Sequence, residues 1–569
     1  MRRIVIIAAG PAGVSAATRI KRRLPEHEIN VIVPASIGEQ GAAAGPAARR
    51  RAAALPNLEI LATREVGVLE AQDIMPDLSE GEITVSSARG SLPVRYTDLV
   101  LEVPATVRLP RALQKAENVF VWPMPGFADE PVPCDSALAA AAASGEAVLV
   151  VGGGVPSLDA VCLAREAGAN VLWLRTGEKE SPAVEAQLAG LALRFLGSAV
   201  TCLDLPDVSA EQIRCTLNAQ GTLLETLVLP DGRECACACA LWTTPLMGRH
   251  PVLRESGIVL DPLGRIDFSD GGPSGPPVVL MGSGSAQPGA KLPFSGVALN
   301  AWPGGRESAE YSAWAAVDRV CGKSGGSALA GGGEPGIFAV REAELHAPDC
   351  PEKRLRLFRA GLSLAEAEAR GIAAEYAIVG GEEPSGPGGG QLILCLTADR
   401  ESRTLLGAQV LGTGSAALPA DGVFGMALAA LAGGTKLDRL ARAYDGGVGS
   451  GLLRSAAAII CNKLDTLVKG ITPDEFLASK AAGAEFFTLD LRSLPDWRSG
   501  HVPGACDIPL TQLKKRLQDE VPRFTPIVLV SSDGRDAYAV ACRLAGLGAT
   551  DLYVLDGGMR LWPYDLELG

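Results

Sequence analysis

The chain has 569 residues, which at roughly 150 residues per domain allows three to four domains. Asp and Glu outnumber Lys and Arg by 65 to 52, and the net charge of -13 disfavours nucleic acid and anionic lipid as partners. Thirteen cysteines are spread along the chain rather than packed into a small disulfide framework. No apolar run approaches the ~20 residues of a membrane span, so we expect a cytoplasmic protein with no membrane partner.

The first segment has the pattern of a β-α-β unit, with strands at 3–8 and 28–33 around a helix at 11–24. A glycine turn in such a unit lets the backbone approach a dinucleotide pyrophosphate, and an acid ending the second strand takes the ribose hydroxyls. The turn residues that match are Gly10, Pro11, Ala12 and Gly13. Ala8 replaces the first glycine, and Val33 stands where the acid is expected. The unit therefore predicts a Rossmann-like fold, with or without a bound nucleotide.

A second unit of the same kind begins with an apolar strand at 147–151, followed by a helix at 158–167 and a strand at 170–174. Its turn is made of Gly152, Gly153 and Gly154, and Ser157 replaces the third glycine. Arg175 follows the second strand in place of an acid. It is either a ligand for a 2′-phosphate, which favours NADPH, or a surface arginine at the end of a strand.

The rest of the chain contains a further strand, a linker and two more domains. A strand is predicted at 277–282, and the Gly/Ser-rich stretch 322–336 is typical of a linker. Residues 337–469 mix strands with Ala-rich helices, at 423–432 and 452–468, and predict an α+β domain. Residues 470–569 alternate short strands, such as 486–490 and 527–530, with helices and predict a small α/β domain.

Motifs in the final segment carry a family resemblance. They are Asp490-Leu491-Arg492, Gly500-His501-Val502-Pro503-Gly504-Ala505 and Leu555-Asp556-Gly557-Gly558 with Trp562, all in rhodanese order. With two nucleotide folds and an α+β domain before it, the chain resembles the pyridine nucleotide-disulfide oxidoreductases, of the CoA-disulfide reductase type with a C-terminal rhodanese domain. The implied domains are FAD-type (1–125 and 245–321), NAD(P)-type (126–244), dimerisation (337–469, after the linker) and rhodanese-like (470–569).

The resemblance implies FAD in the first fold, NAD(P)H in the second, a homodimer, and a cysteine near the flavin that forms a mixed disulfide with coenzyme A. It adds Gly282 and Ser283 to the cofactor-binding positions, at the place of the family's Gly-Asp. Arg19 and Arg22 on the first helix are similar to the basic helix that lies near coenzyme A phosphates in the family. No metal is implied.

The residues that carry chemistry in the family are missing from this chain. The loop at 35–48 has no cysteine, Ser283 replaces a flavin-binding Asp, and Val448 replaces an active-site tyrosine. Ser531 stands where a rhodanese carries its persulfide cysteine, and Asp536 stands where an arginine is expected. Because a hydroxyl cannot hold a persulfide, we expect none of these positions to be catalytic.

Cys235, Cys237 and Cys239 alternate along one predicted strand, which would place all three sulfur atoms on one face. Three thiolates could begin a soft-metal site, but adjacent same-face positions are ~7 Å apart and metal-binding cysteines usually come as CxxC on turns. We therefore expect buried core residues and no metal.

These observations favour a divergent family member that acts as a dimeric binding, scaffold or regulatory protein of sulfur or thiol metabolism. Its ligand would be a nucleotide or a CoA-type molecule, and its protein partner is unknown. The alternative is an active FAD-dependent NAD(P)H oxidoreductase that transfers hydride without a redox thiol. A metal or sulfur carrier built on the cysteine triplet is a third hypothesis.

Overall fold

A computed structural model of the chain describes residues 1–8, 11–34, 58–88, 90–102, 105–107, 109–122, 134–176, 186–244, 246–248, 275–281, 316–317, 320–321, 341–345, 354–381, 390–443, 448–465, 468–522 and 525–569. The predictions about Gly10, the loop 35–48, Gly282, Ser283 and the linker 322–336 lie outside these residues. The chain divides into two compact units, residues 1–183 with 196–345 and residues 184–195 with 346–569.

The first sheet is parallel and has the strand order β18-β7-β1-β2-β3. Elements up to residue 121 are β1 (Arg3–Ile7), α1 (Pro11–Arg23), β2 (Glu28–Pro34), α2 (Glu59–Ala62), β3 (Gly67–Ala71), β4 (Asp73–Asp77), β5 (Glu82–Ser87), β6 (Gly90–Arg95), β7 (Asp98–Glu102), β8 (Ala105–Val107) and β9 (Val119–Val121). The sheet is completed by β18 (Val278–Met281). Continuous apolar strands such as β1 fit this position because both faces of the sheet are buried.

The second sheet is also parallel, with the order β12-β11-β10-β16-β9. The elements of this part of the chain, in chain order, are α3 (Cys134–Ser144), β10 (Ala147–Val151), α4 (Gly154–Glu166), β11 (Asn170–Thr176), α5 (Ala186–Leu196), β12 (Val200–Leu205), β13 (Arg214–Leu217), β14 (Leu224–Val228), β15 (Glu234–Ala236), β16 (Cys239–Trp242) and β17 (Leu246–Gly248), and β19 (Arg341–Leu345) follows further along. Helix α4 begins at Gly154, four residues earlier than predicted, because the glycine turn leads directly into it.

The prediction that three cysteines share one strand face is wrong. Cys235 lies in β15, which pairs with β14 in a separate antiparallel sheet, whereas Cys239 lies in β16 of the parallel sheet. Cys237 lies between the two strands. Alternation along the sequence cannot reveal this break, because the chain changes sheet within five residues.

An antiparallel segment, residues 354–465, follows in the second unit. Its elements are β20 (Leu355–Gly361), α6 (Leu364–Glu368), β21 (Ala374–Gly380), β22 (Leu392–Asp399), β23 (Leu405–Thr413), α7 (Ala417–Ala432), α8 (Leu437–Leu440) and α9 (Val448–Leu464). The strands lie in the order β20-β23-β22-β21, and α7 packs against β23 and β20. Helices α7 and α9 start six and four residues before their predicted positions.

The stretch Gly414–Leu431 has a mean hydropathy of 1.3 and is long and apolar enough, by composition alone, to cross a membrane. Pro419, Asp421 and Gly422 interrupt its apolar residues, so it is not a continuous apolar run of ~20 residues, and the expectation of no membrane partner stays a prediction. Within the fold, 44% of the stretch is buried.

The terminal segment, residues 468–569, has a parallel sheet with the order β24-β28-β27-β25-β26. Its elements are β24 (Lys469–Ile471), α10 (Pro473–Ala481), β25 (Phe487–Asp490), α11 (Leu494–Ser499), β26 (Cys506–Asp507), α12 (Leu513–Glu520), β27 (Ile527–Val530), α13 (Arg535–Gly546) and β28 (Leu552–Leu555). Thr472 and Glu475 form a reciprocal capping box at the start of α10. The predicted fold class is confirmed: α/β, with two Rossmann-like sheets and a small α/β domain at the end.

Candidate functional site

The first glycine turn leads into helix α1, which begins at Pro11 with Ala12 and Gly13 in its first turn. Gly13 has no room for a side chain, since a Cβ there would lie 2.5 Å from the Ala8 Cβ and 2.8 Å from Glu102 Oε2. Ala8, which replaces the first glycine, is fully buried. The close approach of helix to strand explains why Gly13 is retained even where the first glycine is not.

Glu102 is a site residue that the motif comparison missed. It ends β7, beside β1 in the sheet, and only 6% of it is exposed. Its Oε2 accepts a hydrogen bond of 2.8 Å from the backbone N–H of Gly13. The available signal was an acid at the end of an otherwise apolar strand, Asp98-Leu99-Val100-Leu101-Glu102, because a buried carboxylate needs a specific partner.

The far end of helix α1 carries the predicted basic residues. Arg19 donates to the Ser15 hydroxyl, and Lys21 Nζ donates to the carbonyl oxygens of Pro25 and His27 at 3.0 and 3.2 Å. Arg22 is exposed. Cations in the last turn favourably oppose the helix dipole, so these contacts account for part of the basic cluster without a coenzyme A phosphate.

The second glycine turn connects β10 to α4. Gly152 has φ +135°, and a Cβ there would overlap the Thr243 Oγ1. Ser157, in the place of the third glycine, is fully buried; its hydroxyl donates to the Gly153 carbonyl at 3.1 Å and lies 2.6 Å from Thr243 Oγ1. The turn thus has the glycine conformation of a dinucleotide site, with neutral side chains beside it.

Arg175 lies near the carboxyl end of β11, two residues after Trp173. It forms an ion pair with Asp204, its direct neighbour on β12, and its guanidinium carbon lies 5.8 Å from the centre of the Trp173 ring. Asp204 is more than half exposed, so this pair is open to solvent and contributes little to stability. An anionic ligand at Arg175 would compete with Asp204.

The loop between β27 and α13 holds the predicted position of the rhodanese cysteine. Ser531 is 2% exposed, and its Oγ accepts hydrogen bonds from the N–H groups of Gly534 at 3.0 Å and Ala537 at 3.4 Å. Gly534 has φ +87° and immediately precedes α13. The loop therefore has a cradle of backbone N–H groups around a hydroxyl oxygen.

A carboxylate lies within this loop and is already paired. Asp533 is 8% exposed and accepts hydrogen bonds from Arg535 Nε at 2.9 Å and Nη2 at 2.7 Å. Asp536, in place of the expected arginine, lies in the first turn of α13. Both acids lower the local attraction for an anion, which the cradle would otherwise supply.

A buried polar cluster links the terminal segment to the antiparallel segment. Lys463 on α9 lies 3.3 Å from both carboxylate oxygens of Asp556, and their side chains are 4% and 1% exposed. Tyr376 donates to Asp556 at 3.0 Å, and Tyr538 donates to it as well. Burial raises the pKa of both tyrosine hydroxyls well above its usual value, so they remain donors.

The described cysteines form no disulfide, and burial holds several of them in an unreactive state. Burial raises the pKa of Cys134, Cys202, Cys237 and Cys239 to about 12. Thiols of this kind are protonated at neutral pH and are poor nucleophiles. Within the described ranges, no group of three His, Cys, Asp or Glu side chains is arranged to hold a metal ion.

The chain has two parallel-sheet folds of the dinucleotide-binding type, then an antiparallel α+β segment and a small parallel α/β domain. This order of domains is that of an oxidoreductase with two dinucleotide folds and a sulfurtransferase-like domain at its end. Residues 2–274 match the pyridine nucleotide-disulphide oxidoreductase family, and residues 472–564 match the rhodanese-like domain. The chain therefore has a pyridine nucleotide-disulphide oxidoreductase domain at residues 2–274, followed by a rhodanese-like domain at residues 472–564.

Two relatives in sequence each match a short part of this chain. The protein YqhL of Bacillus subtilis (strain 168) is 31% identical over 96 residues, 17% of this chain and 73% of that protein. The thiosulfate sulfurtransferase GlpE of Pseudomonas entomophila (strain L48) is 29% identical over 94 residues, 16% of this chain and 84% of that protein.

Similar solved structures extend over the whole chain. Reduced Bacillus anthracis CoADR-RHD has a TM-score of 0.74 and 18% identity, covering 99% of this chain and 97% of that one. An NAD-dependent persulfide reductase from A. fulgidus has a TM-score of 0.70 and 19% identity, covering 98% of this chain and all of that one. At this level of identity the likeness is one of fold.

Proposed function

We propose that this chain has kept the family's fold but lost its thiol and sulfur-transfer chemistry, and that it acts as a nucleotide-binding scaffold or regulatory protein in sulfur or thiol metabolism. The observation that carries the proposal is Ser531, whose oxygen lies in the N–H cradle of the rhodanese-like loop. Sulfur transfer by a rhodanese domain needs a thiolate at that atom, which serine cannot supply.

Among the cysteines that the structure describes, we propose none as a replacement nucleophile. The loop 35–48 contains none. Cys542, on the helix that follows Ser531, lies beyond the cradle, and burial raises the pKa of its thiol. Asp533, which is paired with Arg535, adds a carboxylate to the loop of Ser531 and disfavours an anionic sulfur donor there. The loop therefore retains its shape without its reactive atom.

The second fold fits NAD(P)H. Its glycine turn, at Gly152, Gly153 and Gly154, has the positive φ and the following helix that a dinucleotide phosphate requires, and the adjacent side chains of Ser157 and Thr243 are neutral. When bound, the nicotinamide would supply a hydride. Arg175 would hold a 2′-phosphate once it leaves Asp204, so we propose NADPH as the preferred form.

The first fold does not fit FAD in the same way. Ala8 and Val33 are buried apolar residues at positions where a glycine and a ribose-binding acid are expected. Glu102 places a carboxylate on the turn itself. No step of the proposed function passes through a flavin.

We also propose that the protein is a homodimer in the cytoplasm. Helix α7 buries one face on the antiparallel sheet, but Leu418 on its other side is 61% exposed and Met426 is 40% exposed. We propose that these two apolar side chains lie in the contact between the subunits. The twelve described cysteines form no disulfide, which suits a reducing compartment. A monomer in light scattering at micromolar concentration would contradict the dimer.

The test uses the purified full-length chain. We expect no thiosulfate sulfurtransferase activity and no NADPH-dependent reduction of coenzyme A disulfide, with or without added FAD, while NADPH binds in a fluorescence titration. A Gly152→Ala variant is the matched control for binding, because its Cβ would overlap Thr243. Sulfur transfer by the unmodified chain would overturn the proposal. A visible flavin spectrum bleached by NADPH would instead support the hydride-transferring oxidoreductase.

A further inference from the structure

We infer that Glu102 is a built-in anion at the first dinucleotide turn, and that its carboxylate excludes the pyrophosphate of FAD from this fold. The inference goes beyond the proposed function, which depends on Ser531. It follows from the juxtaposition of one buried carboxylate with the helix that would receive a phosphate. Nothing in the glycine motif of this chain reveals it, because Glu102 and Gly13 are 89 residues apart.

The hydrogen bond between Glu102 and Gly13 occupies a backbone N–H group of the kind that a dinucleotide turn offers to a phosphate. In such folds the phosphate is attracted by free backbone N–H groups and by the positive end of the helix dipole. Here the Gly13 N–H, in the first turn of α1, already donates to Glu102 Oε2 at 2.8 Å. The hydrogen bond is buried, so water does not weaken it.

Glu102 is held in this position by the sheet. It ends β7, whose residues pair with β1 on one side and β18 on the other, with Glu102 directly opposite Met281. Only 6% of the surface of Glu102 is exposed, so the carboxylate is enclosed within the fold. A pyrophosphate entering the turn would have to displace the carboxylate from the Gly13 N–H, and the ionised carboxylate would repel it.

The second turn of the same protein provides an internal comparison. There the corresponding space beside the glycines is occupied by the hydroxyls of Ser157 and Thr243, which carry no charge and can donate as well as accept. The two folds thus share a glycine turn that leads into a helix. They differ in the side chains next to that turn, which are a carboxylate in the first fold and two hydroxyls in the second. We therefore expect one chain to bind NADPH and to reject FAD.

The test compares FAD binding by the full-length wild type, Glu102→Gln and Glu102→Ala, measured by equilibrium ultrafiltration. Glutamine keeps an oxygen that accepts from Gly13 and removes the charge, and alanine removes both. We expect at least a tenfold lower dissociation constant for FAD in Glu102→Gln, equivalent to about 1.4 kcal/mol. NADPH binding should be unchanged in both variants and serves as the check that the chain remains folded.

Asp98→Asn is the matched control. Asp98 is a buried acid at the other end of β7, 7% exposed and bonded to Arg2 Nε at 2.8 Å, so its loss perturbs the same strand away from the turn. It should leave FAD affinity at the wild-type value. Should Glu102→Gln fail to fold, Glu102→Ala takes its place with the same criterion.

A folded Glu102 variant that binds NADPH but gains no FAD affinity overturns the inference. So does a wild-type chain that purifies with stoichiometric FAD. Either result can occur with sulfurtransferase activity still absent, in which case the proposal about Ser531 stands. Conversely, sulfur transfer by a wild type that rejects FAD would overturn the proposed function and leave the role of Glu102 intact.

Discussion

Substitution of Lys463 by methionine is expected to weaken the attachment of the terminal segment to the antiparallel segment. Lys463 Nζ lies 3.3 Å from both oxygens of Asp556 and donates to the Tyr376 carbonyl at 2.9 Å. Methionine has a similar length and fills much of the same space, so the main change is the loss of the positive charge. Asp556, with a side chain that is 1% exposed, would then be a buried carboxylate without a cation.

Removal of one partner of a buried ion pair typically costs about 3–5 kcal/mol, because the remaining charge is left without compensation. In this cluster the hydroxyls of Tyr376 and Tyr538 continue to donate to Asp556 after the substitution. We therefore expect the lower end of the range, about 3 kcal/mol, which corresponds to about two orders of magnitude in the local opening equilibrium.

Hydrogen exchange followed by mass spectrometry is the suitable assay, because a chain of several domains does not unfold in a single two-state step. The amides of β24 and β28, next to the cluster, should exchange about a hundredfold faster in Lys463→Met, from the same opening free energy. The amides of β10 and β11, in the other compact unit, should be unaffected.

Lys469→Met is the control, since Lys469 pairs with Asp551 at 3.4 Å but both side chains are about 60% exposed. An exposed pair of this kind contributes roughly 0–1 kcal/mol. Equal protection in the Lys463 and Lys469 variants would refute the reasoning. So would a double variant, Lys463→Met with Asp556→Asn, that is no more stable than Lys463→Met alone, because removing the stranded charge should restore part of the loss.

Three further predictions concern the loop, the second fold and the thiols. In Ser531→Cys, the new cysteine should be alkylated about tenfold faster than Cys542 at neutral pH, because the N–H groups of Gly534 and Ala537 would lower the pKa of its thiol. Equal alkylation rates would contradict a functional cradle. Arg175→Ala should weaken NADPH binding about tenfold without changing NADH binding. Asp204→Asn should strengthen NADPH binding, because Arg175 would lose its competing partner. An identical effect of Arg175→Ala on both cofactors would exclude a role in binding the 2′-phosphate. Burial raises the pKa of Cys134, Cys237 and Cys239 from 9.0 to about 12, so the folded chain keeps protons that the unfolded chain loses. The stability linked to these thiols should be complete below pH 9 and should fall as the pH rises toward 12, as measured by thermal unfolding; their replacement by alanine should reduce that slope.

The amino-acid sequence by itself determined the class of fold and the position of Ser531. Apolar runs separated by glycines predict parallel strands and dinucleotide turns, because these signals are local and repeat with the period of each element. The motifs of the terminal segment have fixed spacing, so the missing cysteine could be located by counting along the chain. The ends of α4, α7 and α9 were less well predicted, since flanking glycines and alanines extend these helices beyond their apolar residues.

Only the tertiary structure determined which polar groups, distant in the sequence, are in contact. Glu102 reaches Gly13 because β7 and β1 are neighbours in the sheet, and Lys463 reaches Asp556 although 93 residues separate them. The cysteine triplet is divided because its residues enter two different sheets. Strand order and register are set by packing over the whole domain, and no local pattern contains them. For this protein, the fold was therefore predictable from the sequence, whereas the contact between Glu102 and Gly13 was not.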